Sequence, residues 1–192
     1  MSKSERTKQF IIEQSAPIIN KKGVAGTSIT DLMEATQLAK GGIYGNFESK
    51  EAISVEVLNY LVTRVGKGLD QAISTKTTAK DKLFAILDYH QSMVTSPMGG
   101  CPLLNFGTEA DDTNPIIKQR VVKAIKSAQQ RIHNVIEDGK KSGEFKSSVN
   151  ASTFSLKMFA MIEGAIFTSR VTNNPAAMKT IIDLLKNEIQ SM

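Results

Sequence analysis

Cysteine and histidine are scarce in this sequence, which has one cysteine and two histidines among its 192 residues. A single cysteine cannot close an internal disulfide and cannot supply a cysteine-based zinc site. His90 and His133 lie far apart, and the acids around them follow no metal-ligand pattern. No glycine-rich loop of the kind that cradles phosphates is present either. We therefore expect no disulfide framework, no metal site and no cofactor.

Long hydrophobic runs are also missing. No apolar stretch approaches the length of a membrane span, and the N-terminus is polar, without the apolar core of a signal peptide. The overall hydrophobic fraction of 41% is nevertheless ample for a packed core and too high for a disordered chain. These features predict a soluble, cytoplasmic protein with no membrane partner.

The excess of charge of one sign is small. Lysine and arginine number 24 against 19 acids, which gives a net charge of +5. Basic residues outnumber acidic ones only slightly within the first fifty residues. This balance is compatible with a nucleic-acid partner but does not identify one, so any DNA contact depends on where the charges lie.

Apolar residues recur three and four positions apart along most of the chain, without strand-like alternation or internal repeats. The pattern predicts an all-α protein. A helix over residues 4–22 is expected to bury Phe10, Ile11, Ile18 and Ile19, to kink at Pro17 and to end at Gly23. The next helix carries Ile29, Leu32, Met33 and Leu38 on its apolar side. Further helices are expected over residues 40–47, 50–74, 79–95, 102–110, 115–142 and 150–172, and a last one from Pro175.

Residues 27–50 have the pattern of two short helices joined by a tight turn, followed by the start of a third. Thr27 or Ser28 is suited to cap the first helix, and Asp31 suits the positive end of its dipole. The second helix begins with two glycines, Gly41 and Gly42, although glycine is a poor helix former. Close backbone approach to the major groove of DNA explains both glycines.

The segment KGGIYGNFESK resembles the recognition helix and following helix of TetR-family transcriptional regulators, and the resemblance extends over residues 10–52. Two positions depart from the family pattern, with Gln37 where a turn glycine is usual and Ala39 where a capping serine is common. We therefore expect a strained turn and a recognition helix without a capping hydroxyl. The family pattern is met by Lys40, Gly41, Ile43, Tyr44, Phe47, Ser49 and Lys50.

The resemblance implies a helix-turn-helix DNA-binding domain over residues 1–50 and a helical ligand-binding and dimerisation domain over residues 51–192. A long connecting helix over residues 50–74 would join them. It further implies a homodimer that binds a pseudo-palindromic operator in double-stranded DNA. The implied function is transcriptional regulation without catalysis, most simply repression relieved by a small-molecule effector.

DNA contacts are expected from both ends of the helix-turn-helix. Thr27, Tyr44 and Lys50 correspond to the family's phosphate-contacting positions, and Lys40 and Asn46 suit guanine and adenine. The alternative is that Tyr44 and Phe47 are core aromatics and the lysines are solvated. The predicted DNA-binding set is Thr27, Ser28, Lys40, Gly41, Gly42, Tyr44, Gly45, Asn46 and Lys50.

The methionines and phenylalanines of the second domain are either ordinary core or the lining of an adaptable apolar pocket, which the resemblance favours. Cys101 precedes a helix N-terminus, where a thiol can be reactive, or it packs as a small buried hydrophobe. A helical enzyme using Cys101 and a DNA-associated structural dimer without effector are the alternative functions. The predicted pocket residues are His90, Met93, Cys101, Phe106, Met158 and Met161.

The last two helices carry more apolar residues than one buried face requires. The helix over residues 150–172 is apolar nearly all round, which is typical of a helix buried on both sides. Symmetric pairing of both helices with those of a second subunit would form a four-helix bundle. The predicted interface residues are Phe159, Ala165, Ile166, Ile181 and Leu185.

Overall fold

The computed structural model describes residues 2–192, and nine α-helices and no strands lie within that part of the chain. The all-α prediction is therefore confirmed. The predicted helix ends lie within two residues of the observed ones, except that α3 ends at Tyr44 rather than at Phe47. The helices are α1 Lys3–Lys22, α2 Ile29–Thr36, α3 Lys40–Tyr44, α4 Lys50–Ser74, α5 Ala79–Met93, α6 Pro102–Ala110, α7 Pro115–Lys141, α8 Ala151–Val171 and α9 Ala176–Ser191.

Local signals fix several of these ends. Ser28 caps α2 and forms a reciprocal capping box with Asp31, and Asn150 caps α8 by accepting from the backbone N–H of Thr153. α1 ends as predicted at Gly23, whose φ of 79° is accessible to glycine at little cost. α1 continues through Pro17 as a single helix.

The chain forms two compact units. The first consists of the residues up to Arg64 together with Pro97–Val122, so it holds α1 to α3, most of α4, α6 and the start of α7. α1 packs against α2 and α6 in this unit. Phe10, predicted to be buried on α1, is instead 41% exposed, because the buried face of the helix runs through neighbouring positions. The buried core of the first unit includes Ile11, Ile12, Ala16, Ile19, Leu32 and Ile43.

The second unit consists of Val65–Ser96 and Lys123–Met192. α8 packs against both α5 and α9, and α5 also packs against α9. Gly68 on α4 permits a close approach of α5, since a Cβ at Gly68 would lie 2.4 Å from the Tyr89 hydroxyl. Gly139 on α7 likewise leaves room for the ring of Phe145.

The two compact units do not coincide with the division predicted at residue 50, because α4 and α7 each contribute residues to both units. The predicted division concerns DNA binding and dimerisation, and it remains a prediction. None of the helices within residues 2–192 combines the length and the apolar character needed to cross a membrane.

Candidate nucleic-acid interface

The turn between α2 and α3 has the geometry that its sequence predicts. Gln37 takes the left-handed conformation, with φ 56° and ψ 25°, which glycine adopts more readily. Its side-chain Nε2 donates to the backbone carbonyl of Glu34 at 2.6 Å, which helps to hold it there. Ala39 occupies the N-cap position of α3 and makes no side-chain cap, as expected.

α3 presents one face to solvent and anchors the other. Ile43 is fully buried and Phe47 is 8% exposed, whereas Tyr44 is 40% exposed. The Lys40 ammonium lies 5.9 Å from the centre of the Tyr44 ring, so a cation and an aromatic ring share the exposed face. Of the two residues in the core alternative, only Phe47 is buried.

Two features of α3 bear on how it can approach DNA. A Cβ placed at Gly41 would have no neighbour within 4 Å outside its own helix backbone and adjoining residues, among the residues that the structure describes. The Asn46 side chain donates from Nδ2 to the Gly42 carbonyl at 2.8 Å. The amide keeps its second N–H and its Oδ1, which are the donor and acceptor that a contact with adenine requires.

The α1–α2 turn, residues 23–28, carries two of the predicted DNA-binding residues, Thr27 and Ser28. Thr27 is 1% exposed, and its hydroxyl donates to the Gly23 carbonyl at 2.7 Å, so its side chain stabilises the turn itself. Ser28 is exposed, with its hydroxyl donating to an Asp31 carboxylate oxygen at 2.8 Å. A hydrogen bond from the Lys22 ammonium, together with those from Ser28, lowers the pKa of Asp31 to about 2, so the carboxylate is charged at neutral pH.

Lys50 connects the start of α4 to the same turn. Its ammonium donates to the carbonyls of Val24 at 2.7 Å and Thr27 at 2.8 Å. A lysine ammonium has three N–H donors, so these two bonds leave one for a phosphate oxygen. Lys50 therefore has a structural role that its position in the sequence pattern does not indicate.

A second ionised side chain holds the turn from α6. The Glu109 carboxylate accepts from the backbone N–H of Val24 at 2.7 Å and of Ala25 at 2.5 Å. Sequence reasoning missed this residue, because it lies 84 and 85 positions away from the groups it contacts. The only local signal is that Asn105 and Glu109 stand four residues apart on α6, whose one further polar residue is Thr108.

The six predicted pocket residues are divided between the two units, with Cys101 and Phe106 in the first and the other four in the second. Cys101 is 4% and Phe106 2% exposed, and Met158 is fully buried. The His90 ring nitrogen Nδ1 lies 2.7 Å from the Ile86 carbonyl. Burial lowers the pKa of His90, although that hydrogen bond opposes the shift.

An open groove of about 650 Å³ lies within the second unit, and none of the six predicted pocket residues lines it. Arg131 in the groove pairs with Asp70 at 2.9 Å. Lys76 and Lys82 also line it, and neither forms an ion pair with any residue in the range 2–192. Three basic residues, Lys76, Lys82 and Arg131, and two acidic residues, Asp70 and Asp138, line the groove, so its lining has a small excess of positive charge.

Three of the predicted interface residues are buried within the second unit, since Ala165 is 3% exposed and Ile166 and Leu185 are fully buried. Phe159 and Ile181 are partly exposed. Other apolar side chains of α8 and α9 are much more exposed. They are Leu156 at 57%, Phe167 at 55%, Val171 at 65% and Leu184 at 53%, and we call them the α8–α9 patch.

Comparison with protein families gives two matches that together span most of the chain. Residues 11–57 match the model of bacterial regulatory proteins of the tetR family, which covers α2, α3 and the α1–α2 turn. Residues 79–185 match the tetracyclin repressor-like C-terminal domain.

Two solved structures are similar over nearly the whole chain. The TetR-family transcriptional regulator from Cytophaga hutchinsonii is 39% identical with a TM-score of 0.93, covering 100% of this chain and 97% of that one. A TetR regulator from Chloroflexus aurantiacus J-10-FL is 33% identical with a TM-score of 0.93, covering 98% and 96%. The HTH-type transcriptional repressor DhaR of Mycobacterium sp. (strain GP1) is 19% identical over 168 residues, 87% of this chain and 84% of that protein.

Proposed function

Because this chain belongs to the TetR family of transcriptional regulators, whose members bind DNA and act as dimers, we propose that it binds a pseudo-palindromic operator as a homodimer. We further propose that it represses transcription until a small-molecule effector releases it. The observation that carries the proposal is the exposed face of α3, which bears Lys40 and Tyr44 and is anchored from behind by Ile43.

In this proposal α3 enters the major groove. The missing side chains at Gly41, Gly42 and Gly45 let the helix backbone come close to the base edges, while Lys40 supplies a donor for guanine. Tyr44, the third N–H of Lys50 and the exposed start of α2 at Ser28 bind phosphates on either side. Phosphate contacts set the register, and α3 reads the sequence.

The α8–α9 patch is the proposed dimer interface. Its four side chains are large, apolar and more than half exposed, and a specific interface that buries over about 1,000 Å² would remove them from water. A two-fold axis through the patch would present two copies of α3 to successive turns of one face of the duplex, roughly 34–36 Å apart. This spacing is the reason for expecting a pseudo-palindromic operator.

Selection from a pool of random duplexes tests DNA recognition directly. We expect wild-type protein to enrich one pseudo-palindromic sequence. We expect Lys40→Ala to lose about 1–3 kcal/mol of preference for it over a scrambled duplex. Lys179→Ala, on the exposed surface of α9, is the matched control and should enrich the same sequence as wild type. Enrichment of no sequence by wild-type protein would contradict the proposal.

Repression and release by an effector rest on separate support. The relative DhaR is described as a repressor, and the groove in the second unit has a volume typical of small-molecule sites. Because Lys76, Lys82 and Arg131 give the groove a small excess of positive charge, we propose an anionic effector that bears a carboxylate or phosphate. We expect this protein to act in the cytoplasm, where bacterial DNA lies.

A thermal-shift screen with carboxylates and phosphate esters tests the effector. A compound that raises the melting temperature should also release the selected duplex, because it must prefer the conformation that does not bind DNA. Both effects should disappear in Lys76→Gln/Lys82→Gln and persist in Lys179→Gln. If no compound releases DNA, a structural DNA-binding dimer without effector is the better description. Turnover that depends on Cys101 would instead favour the enzyme alternative.

A further inference from the structure

The α1–α2 turn is held from two sides by opposite charges. The Lys50 ammonium binds its carbonyls, at Val24 and Thr27, and the Glu109 carboxylate binds its N–H groups, at Val24 and Ala25. Val24 is thus bound at both its carbonyl and its amide. Hydrogen bonds in which one partner is ionised are stronger than neutral ones, so these four bonds dominate the restraint on the turn.

A polar network anchors α6, the helix that carries Glu109, to the end of α1. The Asn105 side chain, one helical turn before Glu109, donates to the Asn20 carbonyl at 2.8 Å. Asn20 is only 2% exposed, and its Nδ2 donates in turn to the carbonyls of Met98 at 2.8 Å and Gly100 at 3.2 Å. A buried amide with satisfied partners rigidifies its surroundings, so the end of α1 and the start of α6 hold Glu109 in a defined position.

The turn contains two glycines, and the bond from the Thr27 hydroxyl to the Gly23 carbonyl restrains it from within. The restraint from Lys50 and Glu109 adds to that bond. Gly23 and Gly26 both lie in the turn, and glycine has the largest range of backbone conformations to lose on folding. The turn also sets the position of Ser28, the N-cap of α2, and of the Lys50 ammonium. Both belong to the proposed phosphate-binding groups, although neither contacts Glu109.

We propose that Glu109 is a positioning residue for DNA binding, which pre-organises the α1–α2 turn from α6. The inference rests on the proposed DNA-binding function. Without the carboxylate, the turn samples conformations in which Ser28 and Lys50 do not meet the phosphates together. The measured dissociation constant for DNA then rises in inverse proportion to the fraction of molecules whose turn has the DNA-binding conformation.

Glu109→Gln tests the proposal, because it preserves the size of the side chain but leaves an N–H donor facing one of the two backbone N–H groups. We expect it to bind the duplex selected by wild-type protein about tenfold more weakly, as when about a tenth of the molecules are competent. The dependence of binding on salt concentration should keep its slope, since no phosphate contact is removed outright.

Glu144→Gln is the matched control. Glu144 accepts from two consecutive backbone N–H groups in the same way, from Ala79 at 2.7 Å and Lys80 at 2.8 Å, but it lies in the second unit. Both variants lose the same kind of bond and should lose similar thermal stability. Only Glu109→Gln should lose DNA affinity, which a purely stabilising role for Glu109 would not produce.

Asn105→Ala is a second test of the positioning role, and it is the decisive variant if Glu109→Gln does not fold. It removes one support of the network and leaves the Glu109 carboxylate in place, so we expect a loss of affinity of about twofold to fivefold, again at constant salt slope. Affinities of Glu109→Gln and Asn105→Ala equal to that of Glu144→Gln would overturn the proposal. If wild-type protein itself selects no duplex, it is the proposed function that fails.

Discussion

Replacement of Lys50 by methionine separates two roles that the structure assigns to the same ammonium group. Lys50→Met keeps most of the aliphatic stem and removes the charge together with both hydrogen bonds to the α1–α2 turn. A hydrogen bond to a charged group contributes about 1.5–3 kcal/mol, and the lower end applies here because water can reach these partly buried carbonyls. We therefore expect a loss of about 3 kcal/mol in the free energy of unfolding, from the two bonds together.

For a chain of this length, 1 kcal/mol corresponds to roughly 2–4 °C in melting temperature, so we expect a fall of about 6–12 °C. Calorimetry of Lys50→Met and of Lys179→Met, an exposed lysine on α9, measures the difference. A melting temperature equal to that of the control would refute the reasoning, because the two short bonds would then contribute nothing measurable.

The phosphate role of Lys50 has its own readout. If the third N–H of the ammonium binds a phosphate, Lys50→Met should flatten the plot of log affinity against log salt by about one unit. If Lys50 acts only through the turn, affinity falls but the slope stays at the wild-type value. The second result would make Lys50, like Glu109, a positioning residue that affects DNA binding only through the turn.

Three further outcomes are expected. Phe167→Glu should yield monomers in sedimentation experiments without unfolding the chain, because Phe167 is 55% exposed, whereas Ala165→Glu should unfold the second unit. Gly139→Ala should cost about 1–3 kcal/mol in the free energy of unfolding by urea, because its Cβ would lie 2.3 Å from the ring of Phe145. Because burial lowers the pKa of His90, the unfolded chain binds a proton below its ordinary value of 6.5 while the folded chain does not. Wild-type stability should therefore fall as the pH drops below about 6.5, and more steeply than that of His90→Gln.

Sequence patterns predicted those features whose causes lie within a few residues. Ser28 and Asp31 form a capping box from adjacent turns of one segment, and Gly23 ends α1 by its own conformational freedom. The exposed position of Tyr44 on α3 agrees with its predicted place among the DNA contacts.

Features set by distant segments were not predictable in this way. Lys50 donates to carbonyls 23 and 26 residues away, and Glu109 accepts from N–H groups 84 and 85 residues away. The bond from Thr27 to Gly23 spans only four residues and was nevertheless missed, because the family pattern indicates a phosphate contact at this position. The α8–α9 patch was missed for a different reason. A helix that is apolar on all sides has no preferred direction in its sequence, so only packing against α5 and α9 decides that Ala165 is buried and Phe167 exposed.

The empty space beside Gly41 makes α3 a favourable site for redesign of operator preference. A side chain introduced there meets no atom of the protein beyond its own helix and adjoining residues, within residues 2–192, so the fold should tolerate many amino acids at this position. Replacing glycine in a helix also gains about 0.5–1 kcal/mol of helix stability. The side chain would instead occupy the space through which the backbone is proposed to approach the base edges. A library of Gly41 variants screened against altered half-sites would therefore show which side chains the DNA, rather than the protein, accepts.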